Sequence, residues 1–191
     1  GDVQVRHGAA GWQAAKLQGV LNPGDAIKTA ANARAEMSIG QGGYVRIDDS
    51  SHLLITHLRQ NGLTSFKTLV GGVWVTIEKA PAGNNKFEVQ MPSALASVRG
   101  TVFRCKVDEA GDSETFVYDG SVAVTAGGKT DNVAASRFAR VGRDKRITLG
   151  DTRLDDDDKS EWVQHNRFRD MLRHMGDPRI VVALTDGGEK G

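Results

Sequence analysis

The sequence predicts an all-β domain over residues 1–150, followed by one amphipathic α-helix near residues 159–175. Apolar and polar residues alternate in many short stretches, and a glycine-led strand unit recurs. Glycine is also abundant, at 23 of 191 residues, whereas proline occurs only 4 times, which indicates many tight turns. We therefore expect a short-stranded, antiparallel fold that is sandwich-like or solenoid-like.

The recurring unit places a turn glycine before a strand whose alternate residues are β-branched. Its copies begin at Gly1, Gly43, Gly71 and Gly120. Further alternating stretches lie at residues 33–39, 53–58, 87–91, 115–118 and 137–141. Turn-forming residues separate them, at residues 22–25, 48–50, 61–62, 81–84 and 119–120. This arrangement is typical of an all-β fold made of hairpins.

The single cysteine, Cys105, is expected to be an inert core residue. In the strand that begins near Thr101, alternation places Cys105 on the same face as Phe103. A reactive thiol would need solvent access and a lowered pKa. The neighbouring basic residues, Arg104 and Lys106, point to the opposite face.

The composition of the chain changes near Asp151. Residues 151–191 contain 10 acidic and 7 basic residues, against 14 and 18 in residues 1–150. We expect an acidic linker, an amphipathic helix and a tail in this second part, packed on the β domain, with a final strand over residues 180–184.

The predicted helix carries an apolar stripe after a capping-box-like pair, Asp158 and Glu161. The stripe consists of Phe168, Met171, Leu172 and Met175. We expect it to dock on the β domain with Trp162 at its edge, leaving Arg167, Arg169 and Arg173 partly facing solvent. Partner binding by the stripe is the alternative.

The four aspartates from Asp155 to Asp158 do not match a calcium loop. An EF-hand alternates its ligands and needs glycine at position 6 and glutamate at position 12, whereas Lys159 follows the fourth aspartate. We interpret the run as a solvated acidic linker. Together with Lys159 it also spells a protease site used in recombinant proteins, so both a native and an engineered origin stay open.

No motif supports catalysis, a metal or a cofactor. The five histidines lack zinc-ligand spacing, no Gly-x-Ser-x-Gly turn occurs, and the glycines at residues 40–43 do not precede a helix in a βαβ unit. A net charge of +1 without a basic run argues against nucleic acid. No stretch reaches the roughly 20 apolar residues of a membrane span, although a signal peptide or anchor before Gly1 stays open.

An ordered series of short motifs covers residues 1 to about 125. It includes Gly1-x-Val3-x-Val5, Trp12, Leu21-x-x-Gly24-Asp25, Leu69-x-x-Gly72-Val73 and Phe116-x-Tyr118-Asp119-Gly120. The most specific part is Met91-Pro92-Ser93-Ala94-Leu95-Ala96-Ser97-Val98-Arg99-Gly100-Thr101-Val102-Phe103. In order and spacing the chain resembles the FecR domain family of bacterial extracytoplasmic proteins.

The resemblance implies a periplasmic or extracellular-surface domain that signals through a protein partner. Members similar to the namesake are single-pass inner-membrane regulators, which control an extracytoplasmic-function sigma factor and receive a signal from an outer-membrane transporter. Residues 151–191 do not match the partner-binding region of those regulators, so the involvement of a sigma factor stays open.

Four residues are candidates for partner binding: Trp74, Arg99, Arg169 and Arg173. Trp74 alternates outward from its neighbours, so we expect an exposed aromatic ring there. Arg99 either holds a carboxylate or carbonyl within the fold, which we favour, or presents its guanidinium to a ligand. We expect a non-catalytic signalling module that binds an envelope protein; a carbohydrate- or peptidoglycan-binding module is the alternative.

Overall fold

The fold is described from a computed structural model, which covers residues 1–39, 43–60, 62–78, 86–151 and 159–174. These residues form fifteen strands and one helix. The strands are β1 (Val3–Arg6), β2 (Gln13–Ala14), β3 (Ala26–Thr29), β4 (Ala35–Ser38), β5 (Gly43–Ile47), β6 (His52–Gln60), β7 (Leu63–Ile77), β8 (Lys86–Gln90), β9 (Leu95–Val98), β10 (Val102–Val107), β11 (Ser113–Asp119), β12 (Ser121–Ala126), β13 (Lys129–Ala134), β14 (Arg137–Val141) and β15 (Ile147–Asp151). The helix, α1, is Glu161–His174.

Two sheets share the long strand β7. Its residues 63–70 pair with β6 and β8, whereas residues 71–77 pair with β5 and β10. The first sheet has the order β2-β1-β3-β6-β7-β8-β9-β12-β13, and the second has the order β4-β5-β7-β10-β11-β14-β15. Of the described strand pairs only β7 and β8 are parallel. The predicted all-β, antiparallel class is therefore confirmed.

The core lies between the inner faces of the two sheets. Phe87 on β8 of the first sheet meets Phe103 on β10 of the second edge to face, with 6.4 Å between the ring centroids. Phe66 on β7 extends the same cluster toward Phe87 at 5.4 Å. Interdigitation of side chains from both inner faces is the packing of a sandwich.

Cys105 is fully buried in this core, as expected from the alternation of β10. Burial raises the pKa of its thiol to about 12, so the thiolate needed for reactivity does not form near neutral pH. Before this strand Gly100 adopts a φ of 121°, and the register with β11 shifts between Val102 and Phe103. The strand therefore begins with a β-bulge-like irregularity.

Gly71 differs from the sequence prediction, because it lies within β7 and does not precede a separate strand. Its φ is 90°, at the point where β7 passes from the first sheet to the second. A Cβ at Gly71 would overlap the side chain of Ser51 and lie 2.5 Å from its Cα. Glycine is thus required here by both the backbone conformation and the close approach of Ser51.

Several sequence expectations lie outside the described residues. These are the turn at residues 81–84, the aspartate run at 155–158, the side chain of Met175 and the strand at 180–184. In the part of the chain that is described, no helix has both the length and the apolar character required to cross a bilayer.

We expect Gly71→Ala to reduce the free energy of unfolding by about 2–5 kcal/mol, because a positive φ costs about 1–2 kcal/mol and overpacking adds about 1–3 kcal/mol. Gly128→Ala is the matched control. Gly128 also has a positive φ, 78°, but no atom lies within 4 Å of its added Cβ, so only the first cost applies. Urea denaturation measures the free energy of unfolding of both variants. Equal losses of stability would show that Ser51 moves aside without a cost in free energy.

Candidate functional site

Helix α1 packs on the outer face of the second sheet. Trp162 and Val163 of the helix form a buried apolar cluster with Trp74 of β7, flanked by Val102 and Tyr118. The indole of Trp74 stacks on the ring of Tyr118 with 4.4 Å between centroids. The helix therefore completes a second, smaller core on the side of the sheet that faces away from the first.

The expected exposure of Trp74 is wrong. Its side chain does point away from the main core, opposite to Val73 and Val75, but α1 covers it completely. Its Nε1 donates a hydrogen bond of 2.9 Å to Oδ2 of Asp170. Alternation in the strand identifies the face of a side chain, but cannot show that another element covers that face.

Helix α1 docks on the sheet as expected, but with a different face. Phe168 and Met171 of the expected stripe are 55% and 50% exposed. The buried face consists instead of Trp162, Val163, Asn166 and Asp170. The outer face of the second sheet carries polar and charged side chains beside Trp74, and such a face is matched by hydrogen-bonding groups of the helix better than by an apolar stripe.

A cluster of charged side chains, the Glu36 cluster, joins α1 to the sheet. Its members are Glu36, Arg46, Arg169, Asp170 and Arg173. Arg46 lies on β5. Its Nε is 2.7 Å from Oε2 of Glu36, and its Nη1 is 2.7 Å from Oδ1 of Asp170. From the helix, Arg173 and Arg169 approach the two carboxylate oxygens of Glu36 at 2.6 and 3.4 Å.

Asp170 and Arg46 connect the Glu36 cluster to the apolar cluster. Oδ2 of Asp170 accepts hydrogen bonds from the indole of Trp74 and the hydroxyl of Thr76, both at 2.9 Å. Nη1 of Arg46 also donates to the side-chain and backbone oxygens of Asn166 at 3.3 and 3.4 Å. The helix is thus positioned by directional, charge-assisted bonds at a buried interface.

The electrostatic balance of the Glu36 cluster is positive, with three guanidinium groups and two carboxylates. Burial acts to raise the pKa of Glu36, but the hydrogen bond and charge of Arg46 and the charges of Arg173 and Arg169 outweigh it and lower the pKa. Burial lowers the pKa of Arg169; Glu36 opposes this effect, and the charge of Arg46 reinforces it. Glu36 is therefore ionised at neutral pH.

Two of the predicted partner-binding residues, Arg169 and Arg173, meet an acidic group of their own chain. Both contact Glu36, and their side chains are only 15% and 17% exposed. The guanidinium of Arg173 also lies 3.4 Å from the ring centroid of Tyr44. Arg169 and Arg173 therefore contribute to docking of the helix.

Arg99 is not among the residues that contact α1 in the interface described above. It is exposed at the bend between β9 and β10 and lines a shallow depression with Lys86, Ser97 and Asn132. The structure therefore does not bring the four sequence candidates together.

A cavity of about 800 Å³ adjoins the helix interface. Val5, Ile27, Ile55 and Phe66 line its apolar part between the sheets, and Arg46, Trp162, His165 and Arg169 line the part beside α1. Burial and the charges of Arg169, Arg34 and Arg46 lower the pKa of His165. Three arginines therefore lie close to His165 in that part of the cavity.

In the described residues, no group of three or more His, Cys, Asp or Glu side chains is placed to bind one metal ion.

Sequence reasoning missed Glu36, Arg46 and Asp170 as the groups that hold the helix. One signal was available: Glu36, Arg46 and Trp74 occupy outward positions of alternating strands, so one sheet face carries charges beside a tryptophan. A charged and aromatic face of this kind predicts a polar partner element. The partner, Asp170, lies about a hundred residues away from Trp74 in sequence and has no local signature.

Comparisons with known proteins agree with this fold. The sequence profile of the family described as FecR protein matches residues 25–123. None of the curated proteins compared with the chain matches it.

Two crystal structures from Parabacteroides distasonis ATCC 8503, each named a "putative anti-sigma factor", have a similar fold. The structure at 2.50 Å has a TM-score of 0.58 and 15% identity over 66% of this chain, which spans only 59% of that one. The structure at 1.65 Å has a TM-score of 0.60 and 15% identity, covering 82% of this chain and 79% of its own.

We expect Glu36→Gln to reduce the free energy of unfolding by about 3 kcal/mol, because it leaves three buried guanidinium groups with one carboxylate. Glu114→Gln is the matched control, since Glu114 pairs with the exposed Arg140 on the surface of the second sheet. That change should cost at most about 1 kcal/mol. Chemical denaturation compares the two; a loss at Glu36 as small as that at Glu114 would contradict a structural role of the cluster.

The stabilising effect of Glu36 should depend on pH. Its folded-state pKa is lowered from 4.5, so its contribution is complete above pH 4.5 and is lost as the pH falls through the folded-state value. The stability difference between the wild type and Glu36→Gln should therefore be constant from pH 7 to pH 5 and shrink below that range. Urea titrations from pH 7 to pH 3 measure it, and a difference that widens toward low pH would contradict the sign.

Proposed function

The chain belongs to the FecR protein family, and we propose that it is a non-catalytic signalling module of the bacterial envelope that acts by binding a protein partner. The family supports signalling and an envelope location. The fold shared with two chains named as anti-sigma factors supports the same kind of role.

The observation that carries the protein-binding proposal is the outward face of α1. Phe168 and Met171, three residues apart, are about half exposed on one side of the helix. The opposite side is fixed to the sheet by the Glu36 cluster and by Trp162. A firmly held helix that presents two large apolar side chains suits insertion into a groove of another protein, and ordering costs little because the helix is already formed.

The carbohydrate alternative receives less support. A sugar-binding platform needs an open aromatic ring, but Trp74 and Trp162 are buried against each other. The ring of Trp12 is approached by the ammonium of Lys28 at 4.3 Å and the guanidinium of Arg6 at 5.3 Å. These cations compete for the faces on which a sugar would stack.

A non-catalytic role is consistent with the groups that line the large cavity. Apart from His7 and His165, most of its ionisable residues are arginines, which cannot serve as general bases. The thiol of Cys105 is buried, and its raised pKa keeps it protonated.

The proposal is tested by capture of partners from the envelope fraction of the source organism on the immobilised full chain. We expect the double variant Phe168→Ser/Met171→Ser to lose the partner, with affinity for the purified partner at least about 10-fold weaker because exposed apolar anchors act as hot spots. Leu69→Ser/Leu149→Ser is the matched control, since both leucines are exposed on the sheets.

Retention of the same partner by the Phe168→Ser/Met171→Ser variant would assign binding to another surface. Binding of glycan or peptidoglycan fragments, with no protein captured, would favour the carbohydrate alternative instead.

A further inference from the structure

We propose that the cavity beside α1 binds an anionic amphiphile, a single acyl chain with a carboxylate head. The inference is independent of the protein-binding proposal, because Phe168 and Met171 do not line this cavity. It rests on the shape of the cavity, on its apolar interior and on the excess of cations in its wall.

The cavity extends around the open edge of β4. Among the described strands β4 pairs only with β5. Glu36 and Met37 are neighbours on β4 and therefore point to opposite faces of the strand, yet both line the cavity. The cavity thus reaches from the space between the two sheets to the interface with α1.

The inner part of the cavity suits an acyl chain. Its wall includes the apolar side chains Val3, Val5, Ile27, Ile55 and Phe66, which belong to the main core. Its volume, about 800 Å³, lies in the range of sites that enclose small ligands. An acyl chain needs no polar partners in an apolar space of this size.

The part beside α1 suits an anionic head. Five Lys and Arg side chains line the cavity, against one carboxylate, that of Glu36. Arg34, Arg46 and Arg169 lie near α1, whereas Lys16 and Arg59 are exposed and belong to the loop after β2 and to the end of β6. Asp48 and Asp170 pair with Arg34 and Arg46 from outside the cavity, and Arg173 of α1 also contacts Glu36. The groups beside α1 are therefore four guanidinium groups against three carboxylates.

Two of these arginines have N–H donors without a hydrogen-bond partner in the described residues. Nη2 of Arg46 and Nε of Arg169 are buried and have no hydrogen-bond partner in the described part of the chain. A buried donor without an acceptor is unfavourable, and a carboxylate is the acceptor that a guanidinium binds most strongly. An acidic head group would therefore neutralise the excess positive charge and accept hydrogen bonds from these two donors.

Calorimetric titration of the unmodified full chain at pH 7 tests the ligand class with three probes: octanoate, dodecanoate and dodecyltrimethylammonium. A buried methylene contributes up to about 4-fold in affinity, so dodecanoate should bind at least 10-fold more tightly than octanoate. It should also bind at least 10-fold more tightly than the cation of equal chain length. Equal affinity for the two charges, or no binding of dodecanoate at millimolar concentration, would overturn the proposal.

Two variants locate the site. Ala35→Phe should fill the cavity and weaken dodecanoate binding at least 10-fold, whereas Ala134→Phe, at an exposed position of β13, should not change it. Arg169→Met should reduce the preference for dodecanoate over the ammonium probe, with Arg167→Met, an exposed position on α1, as its control. Unchanged binding to Ala35→Phe would overturn the assignment to this cavity; if Arg169→Met fails to fold, the probe series and Ala35→Phe still decide.

Discussion

The position of α1 depends on one buried carboxylate, that of Asp170. Its two oxygens reach three strand residues, since Oδ1 pairs with Arg46 while Oδ2 accepts from Trp74 and Thr76. These contacts fix both the rotation of the helix and its position along the sheet. Burial of a charge pair stabilises a fold little in net terms, but a misplaced helix would leave the same charges unpaired. The cluster therefore specifies one docking geometry.

That geometry determines what each side of the helix can do. With Asp170 against the sheet, Arg169 and His165 face the cavity, and Phe168 and Met171 face outward. A rotation of about 100° separates successive residues of the helix, so a change of register by one residue would move each of these side chains into a different environment. The polar interface is thus the reason that Phe168 and Met171 remain exposed.

Sequence reasoning predicted the elements better than their contacts. The alternation around Cys105 and Phe103 identified the main core, because period-two patterning depends only on local residues. The same reasoning placed Trp74 on the outer face but could not predict its cover, since Asp170 and Trp162 approach from a distant segment. The apolar stripe that contains Phe168 and Met171 predicts a core face. That interpretation assumed an apolar docking surface, whereas the sheet offers Glu36 and Arg46.

If the cavity holds an acidic amphiphile and the outward face of α1 holds a protein, the two binding events share one helix. A head group beside Arg169 would add contacts to the docked helix and so favour the docked over any undocked position. A partner that recognises docked α1 would then bind more tightly in the presence of the amphiphile, and by thermodynamic linkage the amphiphile would bind more tightly in the presence of the partner. The coupling free energy cannot exceed the difference in each ligand's binding free energy between the docked and undocked helix. If the helix is already fully docked without ligand, the two binding events would show no coupling.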